Sequence, residues 1–248
     1  MSNGVKLSVV IPAYNEENRI ESTLRNVDAY LEKQGYTYEI LVVDNGSKDR
    51  TIEVVDRLSK TNVENCRALE QPPVVVGNNK GNAVRKGIME SMGQYVVFMD
   101  ADNATPISEI EKFFPYLDSG IEMVIGSRYL DPATVKIKQP LYKIILSRLS
   151  NILIQVVLGT HIKDTQTGFK AFNGKAAKEI FKHLSIYGWG FDMELIAIAY
   201  KLSYRIKEVP ISWEEHGGSH VPLKAYIQSL IELFKIKWNS ITGKYSAK

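Results

Sequence analysis

Residues 7–17, LSVVIPAYNEE, decide the fold prediction. The first five residues form a short apolar run that ends at Pro12. Apolar residues then recur at helical spacing, at Ile20, Leu24, Val27 and Leu31. The stretch therefore predicts a buried strand and an amphipathic helix joined by a polar loop.

The same order repeats along the first half of the chain. Residues 39–43, EILVV, precede the polar DNGS at 44–47, and further apolar runs lie at 95–99 and 121–125. Helical spacing follows in between, and Ser108 with Glu111 predicts a capping box before a fourth helix. The apolar positions of the later three helices are Ile52, Val55, Leu58; Val84, Ile88, Met92; and Ile110, Phe113, Phe114, Leu117. Strands that read as continuous Val and Ile runs predict an α/β fold with a mostly parallel sheet flanked by helices.

The second half is less regular. The pattern predicts a long apolar helix at 139–158, a helix at 191–202 and a strand at 205–213. A last amphipathic helix carries Tyr226, Leu230, Leu233, Phe234 and Trp238. We predict a catalytic domain at 1–222 and a C-terminal amphipathic helix at 223–248, which together form one unit with a helical, basic annex.

Composition fits one large domain, since 248 residues with 44% hydrophobic side chains can bury a substantial core. Residues 1–132 carry 14 Lys and Arg against 20 Asp and Glu, whereas residues 133–248 carry 17 against 8. Cys66 is the single cysteine, which excludes an intrachain disulfide and fits a reducing compartment. No signal-peptide pattern and no apolar stretch of about 20 residues is seen. We expect a cytoplasmic protein.

Two carboxylates follow the apolar run at 95–99. Asp100 and Asp102, in the sequence DADNA, can share a divalent cation where the strand reaches the surface. The polar loops after the first two strands should meet them at the same edge of the sheet. Taken alone, the acidic pair could be a turn or helix cap, Asn15 a helix cap, and residues 45–47 a turn.

Further motifs give these residues a common context. They are NKGNAVR at 79–85, GSRY at 126–129, DTQTGFK at 164–170, WGFDMEL at 189–195 and EVP at 208–210. With VVIPAYNEE and VVDNGSKD, this set resembles glycosyltransferase family 2, and within it the dolichyl-phosphate and polyprenyl-phosphate sugar synthases, nearer the glucosyl than the mannosyl branch. The resemblance covers roughly residues 5–222. It implies the GT-A nucleotide-diphospho-sugar transferase fold.

The resemblance also implies roles for single residues on the donor side. Asp100 and Asp102 would hold Mg²⁺ or Mn²⁺, and Ala104 stands where the mannosyl enzymes tend to have Gln. A flexible loop with Ser219 and His220 would close over the diphosphate, with His220 in place of the usual Lys, so closure should weaken as pH rises through the His pKa. The expected donor-binding residues are Pro12, Ala13, Tyr14, Glu16, Asp44, Lys80 and Arg85.

On the acceptor side the task is to hold an anion. A lipid phosphate is largely ionised near neutral pH, so its oxygen can attack without a strong base. The resemblance implies that Arg128 grips the phosphate, helped by Lys143 and Ser147, with Arg148 as an alternative to Lys143. Asp164 and Asp192 would bind sugar hydroxyls or shape the acceptor site, and Asp192 could be a base. Helix caps or salt bridges remain open for both.

The resemblance implies a glycosyltransferase that inverts the anomeric carbon and moves a hexose to polyprenyl or dolichyl phosphate. UDP-glucose is the expected donor, with GDP-mannose next. Transfer to a sugar hydroxyl, with Asp192 as base, and a non-catalytic binding module remain alternatives. No Gly-x-Gly-x-x-Gly or ATP phosphate loop is present, and no nucleic acid partner is expected. The basic, apolar helices at 139–158 and 226–238 predict peripheral association with an anionic, cytoplasmic membrane face or with a membrane partner, or plain core packing.

Overall fold

The computed structural model describes residues 4–75, 78–131, 135–136, 141–214 and 223–245, without the side chains of 135–136, 141–146 and 223. A 3₁₀ helix, Ile107–Lys112, lies between the third and fourth α-helices. The strands are β1 (Leu7–Ala13), β2 (Tyr38–Asp44), β3 (Cys66–Glu70), β4 (Tyr95–Met99), β5 (Met123–Ser127), β6 (Val135–Lys136), β7 (Phe169–Asn173), β8 (Ile206–Pro210) and β9 (Trp213–Glu214). The α-helices are α1 (Ile20–Leu31), α2 (Thr51–Ser59), α3 (Lys80–Glu90), α4 (Phe114–Asp118), α5 (Leu141–Leu158), α6 (Gly174–His183), α7 (Phe191–Lys201) and α8 (Leu223–Ile241).

Seven of these strands form one sheet, in the order β3-β2-β1-β4-β7-β5-β8. The neighbours β3-β2, β2-β1, β1-β4 and β5-β8 are parallel, and only β7 runs antiparallel to both of its partners. The predicted mostly parallel α/β sheet is confirmed. The carboxyl ends of β1, β2 and β4 consequently lie at one edge.

Both faces of the sheet are covered, which explains the continuous apolar strands. Side chains alternate along each strand, so Val9 and Ile11 enter a core with α1, while Val10 packs on the other face with Val84 of α3. The second core also holds Leu233, Ile236 and Tyr245, so α8 is part of the packing of the sheet. The domain boundary between residues 222 and 223 stays a prediction.

Three local predictions are wrong. The first strand does not stop at Pro12, which lies inside β1. The capping box at Ser108 is absent, because a 3₁₀ helix begins after Pro106 and carries no side-chain cap. The strand expected at 205–213 is broken after Pro210, and β9 pairs with β6 instead. The sequence patterns also gave no indication of β3, β7 or α6.

The two long helices of the second half contact each other, and α8 also packs on α7. Both expose large apolar side chains, although Ile154 of α5 and Leu233 of α8 are buried. Across the parts of the chain that the structure describes, no helix is both long enough and apolar enough to cross a bilayer.

Candidate functional site

The loops after β1 and β2 are tied together. The Asn15 amide N donates to Ser47 Oγ at 2.8 Å, and Asn15 Oδ1 accepts from the Lys48 amide at 2.8 Å. Glu16 N donates to Thr51 Oγ1 at 2.8 Å. Asn15 has a left-handed backbone conformation, with a φ of 55°. Its side chain is used in this contact between the loops. The alternative that Asn15 caps α1 is wrong, because the residue at the cap position of α1 is Arg19.

Asp44 ends β2 at the base of this loop pair. Its Oδ2 accepts from the amides of Gly46 and Ser47 at 2.9 and 3.0 Å. Its Oδ1 and Asn45 Oδ1 are buried without a hydrogen-bond partner among the residues that the structure describes. Buried acceptors of this kind are costly unless a donor meets them, so they fit the N–H or O–H groups of a nucleotide base or ribose.

The other residues that are expected to bind the nucleotide sugar differ in their exposure and in their contacts. Tyr14 is exposed and can stack on a base, whereas Ala13 is buried and its carbonyl accepts from the Asn45 amide. Glu16 is held by Arg19, with Nε to Oε2 at 2.8 Å. Burial raises the pKa of Glu16, and the nearby charges of Asp102 and Asp100 raise it further.

Asp100 and Asp102 follow β4 as the sequence predicts. Burial and the charge of Asp100 raise the pKa of Asp102, so two carboxylates share one region in which a second negative charge is disfavoured. Asn103, with a φ of 55°, adds a buried Oδ1 that has no partner within the described chain. Gly168 lies against Asp100, and a Cβ there would be 2.7 Å from Oδ1 and closer still to Oδ2.

Oxygen donors of this type fit Mg²⁺ or Mn²⁺. Within the described residues, no group of three or more His, Cys, Asp or Glu is placed to hold a metal. That Asp100 and Asp102 hold the cation stays a prediction.

Lys80 begins α3 and its Nζ donates to Asp100 Oδ1. Burial alone would lower the pKa of Lys80, but the charges of Asp100 and Asp192 raise it above its usual value. Gly81 lets the start of α3 approach residues 187–191, since its amide donates to Tyr187 O at 3.0 Å and an added Cβ would lie 2.6 Å from the Cβ of Phe191.

Arg85 is not brought into this cluster. It lies one and a half turns further along α3, and its Nε donates to the carbonyl of Phe181 on α6 at 3.1 Å. The interaction fixes α3 on α6. A direct role of Arg85 on a diphosphate has no support in this geometry.

Asp192, in the first turn of α7, pairs with a lysine inside the protein. Lys170 Nζ donates to Asp192 Oδ1 and, at 2.6 Å, to Thr167 O. Lys170 is fully buried and lies over the Phe98 ring. Burial raises the pKa of Asp192 while Lys170 and Lys80 oppose it, and burial lowers the pKa of Lys170. The pair holds Asp192 at the edge of the cleft described below.

Arg128 and Asp164 form a two-pronged ion pair. Arg128 Nε donates to Oδ2 at 2.8 Å and Nη2 to Oδ1 at 2.9 Å, and the Arg128 amide also donates to Oδ2. Asp164 is fully buried and both of its carboxylate oxygens accept from Arg128, which favours the salt-bridge alternative. Binding of a sugar hydroxyl by Asp164 stays a prediction. Burial alone would lower the pKa of Arg128, but Asp164 raises it. The guanidinium therefore stays charged.

A cleft of about 410 Å³ is lined by some of the residues described above. Lys80, Arg128 and Asp192 lie along it with Ser147, whose Oγ is 2.7 Å from Tyr129 OH. Its apolar lining comes from α5, α7, α8 and the segment at 188–191, and includes Leu153, Ile154, Trp189, Met193, Leu230 and Leu233.

Helix α8 is joined directly to the segment before Asp192. Glu232 Oε2 accepts from the Gly190 amide at 2.6 Å, and Glu232 Oε1 accepts from Gln228. A Cβ at Gly188 or Gly190 would lie 2.7 or 2.8 Å from Glu232 atoms. The C-terminal helix thus shapes the cleft wall that carries Trp189.

Three predicted site residues have no side chain among the residues that the structure describes. Ser219 and His220 lie outside the described residues, and Lys143 is described only by its backbone in α5. Their roles stay predictions.

Sequence reasoning missed Lys170, Gly168 and Glu232 as site residues. Lys170 and Gly168 belong to the motif at 164–170. A Gly directly before a strand could have indicated a close approach of the backbone to another group, and a Lys within the strand could have indicated a buried ion pair. Nothing in the sequence around Glu232 marks its contact with Gly190.

Comparison with known proteins finds matches over most of the chain. The family model described as "Glycosyl transferase family 2" matches residues 8–181. The chain is 37% identical over 245 residues to a dolichyl-phosphate beta-glucosyltransferase of Trichomonas vaginalis, covering 94% of this chain and 73% of the relative. The human dolichyl-phosphate beta-glucosyltransferase is 33% identical over 254 residues, covering 97% of this chain and 77% of that protein.

Solved structures support the fold. The chain is similar to glucosyl-3-phosphoglycerate synthase from Mycobacterium tuberculosis in complex with Mn²⁺, UDP-glucose and phosphoglyceric acid, with a TM-score of 0.68 and 20% identity. The match covers 94% of this chain and 80% of that one. The same enzyme in complex with Mg²⁺ and UDP gives a TM-score of 0.67 at 20% identity, over 95% and 79% of the two chains.

Proposed function

The chain belongs to glycosyl transferase family 2, and from that premise we propose that it transfers glucose from UDP-glucose to a polyprenyl or dolichyl phosphate. The relatives reported above carry this activity in their names. One observation carries the proposal for this chain: the lining of a single cleft has a charged part, Lys80, Arg128 and Asp192, and an apolar part from side chains of α5, α7 and α8. An amphiphilic phosphate ester matches both parts.

On the donor side, this chain's residues bind and orient. The buried oxygens of Asp44 and Asn45 accept hydrogen bonds from the nucleotide, and exposed Tyr14 stacks on the base. Lys80 lies beside the acidic pair, so its charge neutralises the departing diphosphate. A divalent cation held by Asp100 and Asp102 would supply further positive charge at the leaving group.

On the acceptor side, Arg128 orients the phosphate. The pair with Asp164 uses Nε and Nη2, which fixes the guanidinium plane of a residue that lines the cleft. A phosphate oxygen then forms a bond to the anomeric carbon while the bond from that carbon to the diphosphate breaks. The nucleoside diphosphate leaves with the electron pair, and the product is inverted. No proton has to be removed from an ionised phosphate.

A donor panel tests the proposal. UDP-glucose, UDP-N-acetylglucosamine and GDP-mannose are each offered with farnesyl phosphate and Mn²⁺, and the lipid product is identified by mass spectrometry. We expect a hexosyl phosphate lipid from UDP-glucose. Hydrolysis of the donor without any lipid product would refute transfer to a prenyl phosphate.

A second candidate is transfer to a sugar hydroxyl, which needs a base. Asp192 favours it, because burial raises its pKa and it lies at the cleft. An Asp192→Asn variant separates the two. A reduced but measurable rate with farnesyl phosphate fits the first, whereas complete loss of turnover with donor binding intact fits the second.

We also propose that α5 and α8 bind an anionic lipid surface. Apolar side chains that are exposed at helical spacing form a stripe on each helix: Leu149, Ile152, Leu153 and Val156; and Ile227, Ile231, Phe234, Trp238 and Ile241. Exposed Arg148, Lys224 and Lys235 flank them. Such helices lie in the headgroup plane. A membrane-bound acceptor would then be delivered beside the cleft.

Liposome co-sedimentation measures this association. Binding to vesicles with 30% phosphatidylserine is expected at low salt and should weaken at high salt, because charge and apolar burial both contribute. Trp238→Glu should reduce it. Equal pelleting with and without acidic vesicles would refute the surface.

A further inference from the structure

Two aromatic rings lie next to the guanidinium of Arg128. Its Cζ lies over both rings, 5.4 Å from the centre of the Trp213 ring and 5.6 Å from the centre of the Tyr129 ring. The face of an aromatic ring attracts a cation at such distances, and Trp does so most strongly. Asp164 engages the edge of the same guanidinium through two hydrogen bonds. Arg128 is therefore held both at its edge and over its plane.

The carboxylate and the indole ring restrain different movements of this guanidinium. A two-pronged ion pair sets the direction in which the guanidinium points within its own plane. A ring that lies over the plane opposes tilting, because tilting moves the cation away from the ring face. Asp164 alone thus leaves a movement that Trp213 restrains.

Trp213 acts from outside the cleft. Arg128 lines the cleft, whereas the half-buried Trp213 does not. A substrate in the cleft can therefore contact the arginine without touching the indole. Any effect of the Trp213 ring on the acceptor has to pass through Arg128.

The backbone on either side of Trp213 is fixed to elements that carry the site. The amide of fully buried Ile211 donates to the carbonyl of Ser127 at 3.2 Å, directly before Arg128 in the chain. The Glu214 amide donates at 2.9 Å to the carbonyl of Ala104, in the turn that follows the acidic pair. Because backbone groups make these contacts, they remain when the Trp213 side chain is replaced.

We propose that Trp213 is a positioning residue for the acceptor: its ring holds the Arg128 guanidinium in the orientation that receives the phosphate. This inference rests on the proposed function, in which Arg128 orients the acceptor phosphate. Without the ring, Arg128 keeps its charge and its pair with Asp164 but tilts over a wider range. Binding of the acceptor phosphate weakens, whereas binding of the donor, which uses other residues, does not.

Kinetics of Trp213→Leu and Trp213→Phe test the role of the ring. With UDP-glucose and Mn²⁺, Trp213→Leu should raise the KM for farnesyl phosphate about 5- to 30-fold, which is the effect of losing a mostly buried cation–π contact. The KM for UDP-glucose should stay within twofold. Trp213→Phe keeps a ring face, so its KM for farnesyl phosphate should be at least threefold lower than that of Trp213→Leu.

A double-mutant cycle measures whether Trp213 acts through Arg128. Binding of farnesyl phosphate is followed by calorimetry in the presence of UDP and Mn²⁺. Trp213→Leu should weaken this binding about 5- to 30-fold in the native chain. In a chain that already carries Arg128→Gln the same change should have less than a twofold effect, because no guanidinium is left for the ring to hold.

Tyr116→Leu is the matched control. It removes a ring that lies 5.3 Å from the Nζ of Lys207, and neither residue lines the cleft. The KM values of this variant for farnesyl phosphate and UDP-glucose should stay within twofold of the native values. Thermal unfolding checks that all variants are folded. If Trp213→Leu is not folded, Trp213→Met provides the same comparison with Trp213→Phe.

The outcomes separate the role of Trp213 from the activity. An unchanged KM for farnesyl phosphate in Trp213→Leu, an equal loss in Trp213→Leu and Trp213→Phe, or an equal effect with and without Arg128 would overturn the inference while the proposed function stands. Failure of the native protein to glucosylate farnesyl phosphate would overturn both. A KM for the acceptor that depends on the ring and on Arg128, with the control unchanged, supports the inference.

Discussion

Gly168→Ala should displace the acidic pair without adding or removing charge. The new Cβ would lie 2.7 Å from Asp100 Oδ1 and closer to Oδ2, whereas ordinary contact begins near 3.4 Å. The carboxylate would have to move by more than about 1 Å. A displacement of this size can cost about 100-fold in rate, and overpacking costs about 1–3 kcal/mol of stability.

The assay has two readouts. Steady-state kcat/KM with UDP-glucose and farnesyl phosphate should fall about 100-fold, and Mn²⁺ affinity, followed by electron paramagnetic resonance, should fall at least tenfold. Gly4→Ala is the control, because a Cβ there meets nothing within 4 Å. If Gly168→Ala is folded, binds Mn²⁺ like the native protein and keeps kcat/KM within twofold, the placement of Asp100 is wrong.

Three other predictions follow from buried groups. Lys170→Met should lower the free energy of unfolding in urea by about 3–5 kcal/mol, because it leaves Asp192 buried without the lysine ammonium that pairs with it. The double variant Lys170→Met/Asp192→Leu should regain part of that loss. Equal stability of the single and double variants would contradict the pairing. Arg128→Lys loses the two-pronged contact with Asp164 and should raise the KM for the acceptor roughly 10- to 100-fold. The KM for the donor is the internal control. A change confined to the donor KM would contradict the assignment of Arg128 to the acceptor phosphate. Burial raises the pKa of Cys66 from its usual 9 to about 12, so the folded protein keeps a proton that the unfolded chain releases, and stability that is complete below pH 9 should decline toward pH 12. Unfolding curves of native protein and Cys66→Ala should diverge only in that window, and curves that stay parallel would refute it.

The elements that could be predicted from the sequence are those whose pattern is local. β1, β2, β4 and β5 carry continuous apolar runs because both sheet faces are covered. β3 was not predicted, because it lies at the edge of the sheet and only its first residue, Cys66, is buried. It therefore carries no continuous apolar run. β7 contains Lys170, whose charge suggests a surface position, and its antiparallel direction depends on a long connection that no local pattern encodes.

The same distinction holds for the candidate site. Asp100 and Asp102 could be placed because the end of a strand is visible in the sequence. The pairs Arg128–Asp164 and Lys170–Asp192 join residues 36 and 22 positions apart, and which cation meets which carboxylate depends on packing between separate elements. The resemblance to a known family pointed to most members of the cluster, whereas their partners needed coordinates.

The contact between Glu232 and Gly190 affects how the protein can be shortened. A chain trimmed after residue 222 would keep every strand that the structure describes, together with Asp100, Asp102 and Arg128. It would lose the carboxylate that holds Gly190 and the side chains of Leu233 and Ile236, uncovering the hydrophobic surface beneath them. Such a fragment should aggregate, and the last helix should be retained in any minimal version made for expression or crystallisation.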